Sequence, residues 1–449
     1  MSTIEKHDMT QGKILLPLVS FTIPLVLGNL FQLTYNAADS VIVGKYVGEQ
    51  ALAAVGTYTP IMNIAILLIS GMCMGASVLM SSQYGAKDYD TLSRQISTTM
   101  LAGCGFSVVF SLLMLLLANP VLRLIRVPET AIPEAAAYLR IIFMGLIFTF
   151  MYNFLANTMR ALGDSKTPLY FLVTSAFLNI FGDLFFVVVL RWGVAGSAIA
   201  TVCSEGLCCL LCGIYIKKKI PLLCLGKKWW VFDKSLLGKT VSYGSTSAMQ
   251  QVCLQLGKLI IQSVVNTQGV AVMAAFTAVN RVDDFAYTPQ QNIGHAMTTF
   301  LAQNKGAGHK ERMKKGFQTG LLIELVYSIG LFCVIWGLAP QIMTLFAEDG
   351  DAQVVSLGIS YLHLISWMYI LPGLTNGVQG FFRGIGDLKV TLYSTFMNMF
   401  GRVVAVFVMI RLLQMEFASL AWANMVGWIV MLLFEVPLLV KSMRNGECG

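Results

Sequence analysis

Twelve long apolar runs separated by short polar connectors dictate what this chain can fold into. They fall at 14–38, 51–80, 95–118, 135–159, 168–190, 193–216, 236–265, 270–302, 316–339, 356–382, 389–411 and 417–440. A helix of about 20 apolar residues crosses the ~30 Å hydrocarbon core of a bilayer. A helix also satisfies every backbone N–H and C=O internally, where no water can do so. The pattern therefore predicts an all-α polytopic membrane protein with 12 transmembrane helices. Composition excludes the soluble alternative, because 12% of the 449 residues are Asp, Glu, Lys or Arg, about half of what a soluble chain carries.

Other classes fall on similar grounds. The first 13 residues hold Glu5, Lys6, Asp8 and Lys13 and lack the basic-then-apolar order of a secretory leader, so insertion is expected to rely on the first span. The net charge of +8 does not point to nucleic acid, since the basic residues sit between apolar runs and not along one aromatic-interleaved face. Nearly all of the ten cysteines lie inside apolar runs and read as packing thiols. Cys209-Leu-Leu-Cys212 has redox spacing but lies mid-helix without a second pair, so no structural metal is expected. No Walker A segment is present, which leaves no ATP site in the chain and no expected cofactor beyond a coupling ion.

The connectors fix an orientation. With the N-terminus in the cytoplasm, 22 Lys and Arg fall on the cytoplasmic side, five on the other and four within spans. That bias predicts an inner-membrane protein with both termini cytoplasmic. The longest connector carries Lys217, Lys218, Lys219, Lys227, Lys228, Lys234 and Lys239. It divides the chain into an N-lobe (1–216), a basic connector (217–239) and a C-lobe (240–449).

The two lobes share an internal repeat. Asn153, Arg160, Gly163, Asp164, Lys166, Leu169 and Tyr170 recur as Asn376, Arg383, Gly386, Asp387, Lys389, Leu392 and Tyr393, a constant offset of 223. An aliphatic residue, Leu162 or Ile385, precedes Gly163 and Gly386 respectively. Gln83-Tyr-Gly-Ala after the second run is echoed by Gln303-Asn-Lys-Gly-Ala after the eighth. Two six-helix lobes in the same orientation are a parallel-repeat architecture of alternating-access carriers.

Ionisable groups inside spans cost ~2.5–3.5 kcal/mol or more at mid-bilayer and mark function by default. Asp39 ends the first run, with Tyr35 one turn earlier on the same face. Asn179 and Asp183 are four residues apart in the fifth, which puts both side chains on one stripe, and Thr201 adds a hydroxyl from the sixth. Such a set suits either coordination of a bare monovalent cation by hard oxygens or proton sharing between carboxylates. The plainer alternative is a helix cap at Asp39 and an Asp183 satisfied by Asn179.

The ordered set Ala38-Asp39-Ser-Val-Ile-Val-Gly44, Arg160-Ala-Leu-Gly-Asp164, Asn179-x3-Asp183 and Ala302-Gln303-Asn304 resembles the multidrug and toxic compound extrusion (MATE) family, in its NorM/DinF-like bacterial and archaeal branch. The resemblance covers nearly the whole chain. It implies an antiporter, not an enzyme, that exports organic cations and amphiphiles in exchange for H+ or Na+. It places the N-lobe ion site on Asp39, Asn179, Asp183 and Thr201, and a first-helix kink that gates transport on Pro24. By the same analogy Asn153 and Asn157 face the substrate cavity, and the protein works as a monomer in the bilayer.

The second half departs from the better-known NorM pattern. Its seventh run offers Gln250, Gln251, Gln255 and Lys258, and its tenth has no carboxylate between Ser356 and Phe382. The eighth carries Arg281, Asp283 and Asp284, and Arg402 follows Asn398 by four residues. Two readings stand. Lys258 and Arg402 neutralise Asp283 or Asp284 in a buried pair, with Arg281 nearby, or Asp283 joins Gln255 in the substrate cavity as a second coupling or substrate carboxylate. Gly71-x3-Gly75, Gly373-x3-Gly377 and Gly380-x3-Gly384 predict close helix contacts. Glu205, Glu324 and Glu435 carry no assignment. Two rival functions remain, a flippase for lipid-linked oligosaccharides and an intramembrane transferase. The first is argued against by the N-lobe acids, the second by the lack of a recognised catalytic motif.

Overall fold

A computed structural model describes residues 8–47, 49–124, 129, 132–220, 230–346, 352–415, 417 and 419–444, without the side chains of 36–41, 43, 44, 49–61, 124 and 411. The helices are α1 (Leu15–Tyr46), α2 (Glu49–Gly85), α3 (Tyr89–Leu124), α4 (Ile132–Met144), α5 (Leu146–Ala161), α6 (Lys166–Asp183) and α7 (Gly193–Lys219). They continue with α8 (Lys234–Val265), α9 (Val270–Gly306), α10 (Lys310–Phe346), α11 (Ala352–Ser366), α12 (Ile370–Gly384), α13 (Leu388–Phe407) and α14 (Ser419–Arg444). α4 and α5 are one span bent by 45° at Gly145, and α11 and α12 are joined by the 3-10 turn Trp367–Tyr369. Counting each broken pair once gives the twelve helices expected from the apolar runs.

Among the described residues, nine helices are apolar and long enough to cross a membrane, and the bent α4–α5 pair makes ten. α8 and α9 are long enough, at about 48 and 55 Å for 1.5 Å per residue, but polar. α8 carries Lys234, Lys239 and Lys258, and α9 carries Arg281, Asp283, Asp284 and Lys305.

The repeat reappears in the backbone. Gly163 and Gly386 adopt φ of 90° and 85°, a left-handed conformation glycine takes without a Cβ clash. Around them the N–H of Gly163 and Asp164 bond to the carbonyls of Arg160 and Met159, and the N–H of Gly386 and Asp387 to those of Arg383 and Phe382. The shared motif is thus a helix stop and tight turn, a Schellman-type end. In the first copy Asp164 Oδ1 also accepts the N–H of Lys166 and Thr167, at 3.0 Å each, and so starts α6. The same offset governs the irregular segments. A π-helical stretch Leu184–Val189 follows α6 and another, Val408–Leu412, follows α13. Leu190 N–H bonds to Phe185 O and Leu413 N–H to Val408 O.

Packing separates the chain into two units. One is built on Ile23–Ala248, the other on Met9–Thr22 with Met249–Gly449. Residues 221–229 of the basic connector lie outside the described residues.

In the first unit Leu139, Phe143, Phe150, Phe154 and Ile69 form the centre of the core. Gly71 and Gly75 let α2 touch the backbone of α8 at Ala248, Tyr243 and Gly244, as the glycine spacing predicts. The chain leading into α8 is tied to α3. Val231 N–H donates to Ser97 Oγ, and Arg94 pairs with Asp233 at 2.5 Å. Asp233 Oδ1 in turn caps α8 through the N–H of Ser235 and Leu236. At the α2–α3 turn Thr91 donates to Asp88, which holds that carboxyl below its ordinary value.

In the second unit Phe276, Met343, Tyr361, Ile365 and Tyr369 centre the core. The Ala302-Gln303-Asn304 motif has a visible structural task here. Gln303 Oε1 accepts Met9 N–H and Asn304 Nδ2 donates to Met9 O, while the Arg312 guanidinium donates to the carbonyls of Met9, Gln11 and Gly12. The polar segment before α1 is thereby stitched to the α9–α10 turn.

Candidate ion-coupling site

Two polar side chains of the first unit meet where α6 and α7 pack closely. A Cβ on Gly182 would lie 2.8 Å from the Ala200 Cβ, so that position must be glycine for the two helices to approach. The approach brings Asn179 Nδ2 within 3.2 Å of Thr201 Oγ1. Asn179 is 4% exposed and Asp183, one turn on, is fully buried. The amide spends an N–H on Thr201 and keeps its oxygen as an acceptor. Asp183 is also the last α-helical residue before the π-helical stretch, an irregularity found often at functional sites.

Asn179 and Asp183 are thus buried one turn apart on α6, and Asn179 meets the half-buried Thr201 of α7. Tyr35 on α1 is half-buried and interacts with Tyr152 of α5. The Asp39 side chain lies outside the described residues. Pro24 is buried within α1, which continues as helix on both sides of it. Asn153 and Asn157 are half-buried on α5, their amide nitrogens donating to the carbonyls of Thr149 and Asn153. Their side-chain oxygens stay available as acceptors. Glu205, unassigned from sequence, sits one turn beyond Thr201 and accepts the Thr149 hydroxyl at 2.5 Å. The signal that could have found it is simply a carboxylate in an apolar run.

This geometry can be set beside known proteins. The MatE family model matches the chain twice, over residues 24–185 and 247–409, with starts 223 residues apart. This chain belongs to the MatE family. It is a membrane transporter, not an enzyme, and its two matched halves are the two copies of the repeat. The probable multidrug resistance protein YpnP of Bacillus subtilis is 32% identical over 392 residues, covering 87% of this chain and 86% of that protein. The probable multidrug resistance protein NorM of Thermotoga maritima is 23% identical over 423 residues, covering 92% and 89%. Among solved structures, a MOP superfamily transporter from Pyrococcus furiosus superimposes with a TM-score of 0.91 at 21% identity, over 99% of each chain. An outward-facing multidrug resistance MATE family transporter does so with a TM-score of 0.91 at 22% identity, over 100% of this chain and 99% of that one. These two likenesses show a shared fold.

In the second half of this MatE protein Lys258 meets one of the two carboxylates that the pairing reading offered it. Lys258 Nζ lies 3.4 Å from Asp284 Oδ1, but the two side chains are 56% and 54% exposed, so this pair is not buried. Arg281 is exposed and Gln255 half-buried. Asp283, 4% exposed, is held by two phenols, accepting from Tyr369 at 2.6 Å and Tyr361 at 3.1 Å. Asn424 Nδ2 donates to the Tyr361 oxygen at 2.8 Å, and Arg402 acts on the carboxylate through space without an ion pair within 4 Å among the described residues. Tyr287 closes the cluster, its ring 5.4 Å from that of Tyr369 and 5.9 Å from that of Trp428. Arg402 stands at the repeat position of Asn179, and Val406 at that of Asp183, which is why the two halves carry unlike chemistry.

Tyr369→Phe removes one donor from a buried carboxylate. A thermal unfolding midpoint lowered by the equivalent of about 1–3 kcal/mol is expected, and an unchanged midpoint in detergent would show that the phenol is not a structural donor.

Proposed function

We propose that this protein is a secondary active antiporter that exports organic cations and amphiphilic drugs across the cytoplasmic membrane, driven by the inward movement of H+ or Na+. The observation that carries the reading is the buried Asn179 and Asp183 pair on α6, with Thr201 of α7 bonded to Asn179. The names of its relatives as multidrug resistance and export proteins support the cargo class. Hard oxygens at such a locus suit a proton or a small monovalent cation and suit a bulky organic cation poorly, so ion and drug are taken at different places. Ion binding at Asp183, joined by Asp39 from α1, favours the drug-releasing state, and ion loss restores drug affinity. The 22 to 5 distribution of Lys and Arg supports both termini in the cytoplasm, and the protein functions as a monomer.

Transport by purified protein in liposomes, with pH and sodium gradients imposed separately, tests the coupling. Export of a fluorescent organic cation is expected under one gradient and not in the absence of both. Equal efflux with no gradient would refute the antiport reading.

A further inference from the structure

Among its described residues the second unit buries three carboxyls to 4% exposure or less: Asp283, Glu324 and Glu435. Two of them have compensation. Asp283 has its two phenols and Arg402, and Glu435 lies in the field of Arg383. Glu324 has neither. It is 14 residues into the 37-residue α10, about 21 Å along the helix and so near the middle of the span. Both its carboxyl oxygens are buried without a hydrogen-bond partner.

The groups around it can be enumerated. α9, α11, α12 and the 3-10 turn Trp367–Tyr369 all pack on α10. α9 supplies Gln290, the turn supplies the Tyr369 carbonyl, and α12 supplies the backbone of Gly373. A Cβ at Gly373 would meet Ser328 Oγ at 2.9 Å, Gln290 Nε2 at 3.2 Å and Glu324 Oε2 at 3.5 Å, so these atoms converge on one small space. Tyr327, on the same helix, is the titratable side chain that feels Glu324. His363 of α11 stacks instead on Trp336, 12 residues further along α10. Asp283 of α9 is engaged with Tyr361 and Tyr369. Among the described residues no Lys, Arg or His forms an ion pair with Glu324.

Every donor in this space is already spent. Gln290 Nε2 uses its two hydrogens on Ser328 Oγ at 3.0 Å and Tyr369 O at 2.8 Å. The single Ser328 hydrogen goes to Glu324 O at 2.7 Å or Tyr369 O at 3.3 Å. Flipping the Gln290 amide would oppose two carbonyl oxygens at Tyr369, so the assignment holds. What remains is acceptors only: both Glu324 carboxyl oxygens and Gln290 Oε1. A bare buried carboxylate is far too costly to persist, and Glu324 Oε2 borders the space beside Gly373, close to the break between α11 and α12, the kind of discontinuous span at which carriers hold protons and sodium.

We infer that Glu324 and Gln290 form a second monovalent-cation site, in the C-terminal half, where a dissociable proton or a sodium ion fills the space beside Gly373. This site is independent of the export reading, because occupancy is measured without transport. It neither uses nor requires Asp183.

Infrared difference spectra of the full-length protein in lipid, wild type against Glu324→Gln, test it. Spectra are taken between mildly acidic and mildly alkaline pH without sodium, and then at both pH values with sodium replacing choline. A protonated-carboxyl C=O band that appears on acidification in wild type and is missing from Glu324→Gln is expected. Its loss in acid on adding sodium identifies a site that takes either ion, and indifference to sodium identifies a proton site. A band removed by the substitution but unmoved by both pH and sodium, which marks a permanently neutral carboxyl, overturns the inference. So does a substitution that removes no band. If Glu324→Gln does not fold, Gln290→Ala keeps the carboxyl and is expected to move the band's titration midpoint by about one pH unit, a tenfold change in proton affinity; an unmoved midpoint overturns the inference equally.

Discussion

Asp183→Asn is expected to abolish drug efflux while leaving a folded, membrane-inserted protein. The substitution keeps size and shape, and asparagine can fill the same fully buried position on α6. It removes the charge that a cation must neutralise. Driving a two-state carrier from 1:99 to 99:1 needs a ligand that prefers one state by about 10⁴-fold, or ~5.5 kcal/mol. A buried carboxylate can supply such a preference to a proton or sodium ion, because its ionised form is so costly when unoccupied; a neutral amide cannot. Cells expressing Asp183→Asn should therefore show the drug susceptibility of cells with empty vector, at wild-type membrane abundance. Asn179→Ala should cost less, since it removes one ligand oxygen and the hydrogen bond to Thr201 but leaves the charge. Wild-type resistance in Asp183→Asn would sink the assignment of this locus.

Much of the architecture was legible in the sequence because membrane folding writes its rules along the chain. Twelve apolar runs became twelve helices of span length, and the 223-residue offset found in Arg160-x2-Gly-Asp and Arg383-x2-Gly-Asp reappeared in positive-φ glycines and in π-helical stretches. Helical spacing put Asn179 and Asp183 on one stripe and the family resemblance placed Thr201 with them, but the contact between Asn179 and Thr201 depends on Gly182, whose role is visible only once α6 and α7 are side by side. The second half was less readable. Lys258, Asp283, Asp284 and Arg402 allow several pairings, and the choice is made by tertiary neighbours that spacing does not reveal. Two tyrosines 78 and 86 residues away claim Asp283, and Lys258 is left with the exposed Asp284. Glu324 illustrates the same limit. A lone carboxylate in an apolar run is a signal of function, yet what makes it informative is that Gln290 and Ser328 have already committed their donors elsewhere.

Gly75→Val is expected to be the most destabilising single change at a position with no polar role. A Cβ on Gly75 would lie 2.5 Å from Gly244 N and from the Tyr243 carbonyl carbon and oxygen, and one on Gly71 would lie 2.5 Å from Ala248 Cα. These neighbours are backbone atoms, so no rotamer change can make room, and the Tyr243–Ala248 stretch of α8 must move away from α2. Between helices in lipid there is little hydrophobic drive to compensate, because association rests on close van der Waals contact at such small-residue faces. Overpacking of a tight core costs about 1–3 kcal/mol and occasionally more, and here the added isopropyl group would also separate the contacts that Gly71 makes one turn away. The thermal unfolding midpoint of Gly75→Val in detergent should drop well below that of wild type, with Gly75→Ala intermediate. Gly213 on α7 provides the contrast, since nothing lies within 4 Å of its hypothetical Cβ and alanine there removes a helix-weakening residue. Gly213→Ala should leave the midpoint unchanged or raised. A Gly75→Val protein as stable as wild type would mean that α2 and α8 do not meet backbone to backbone.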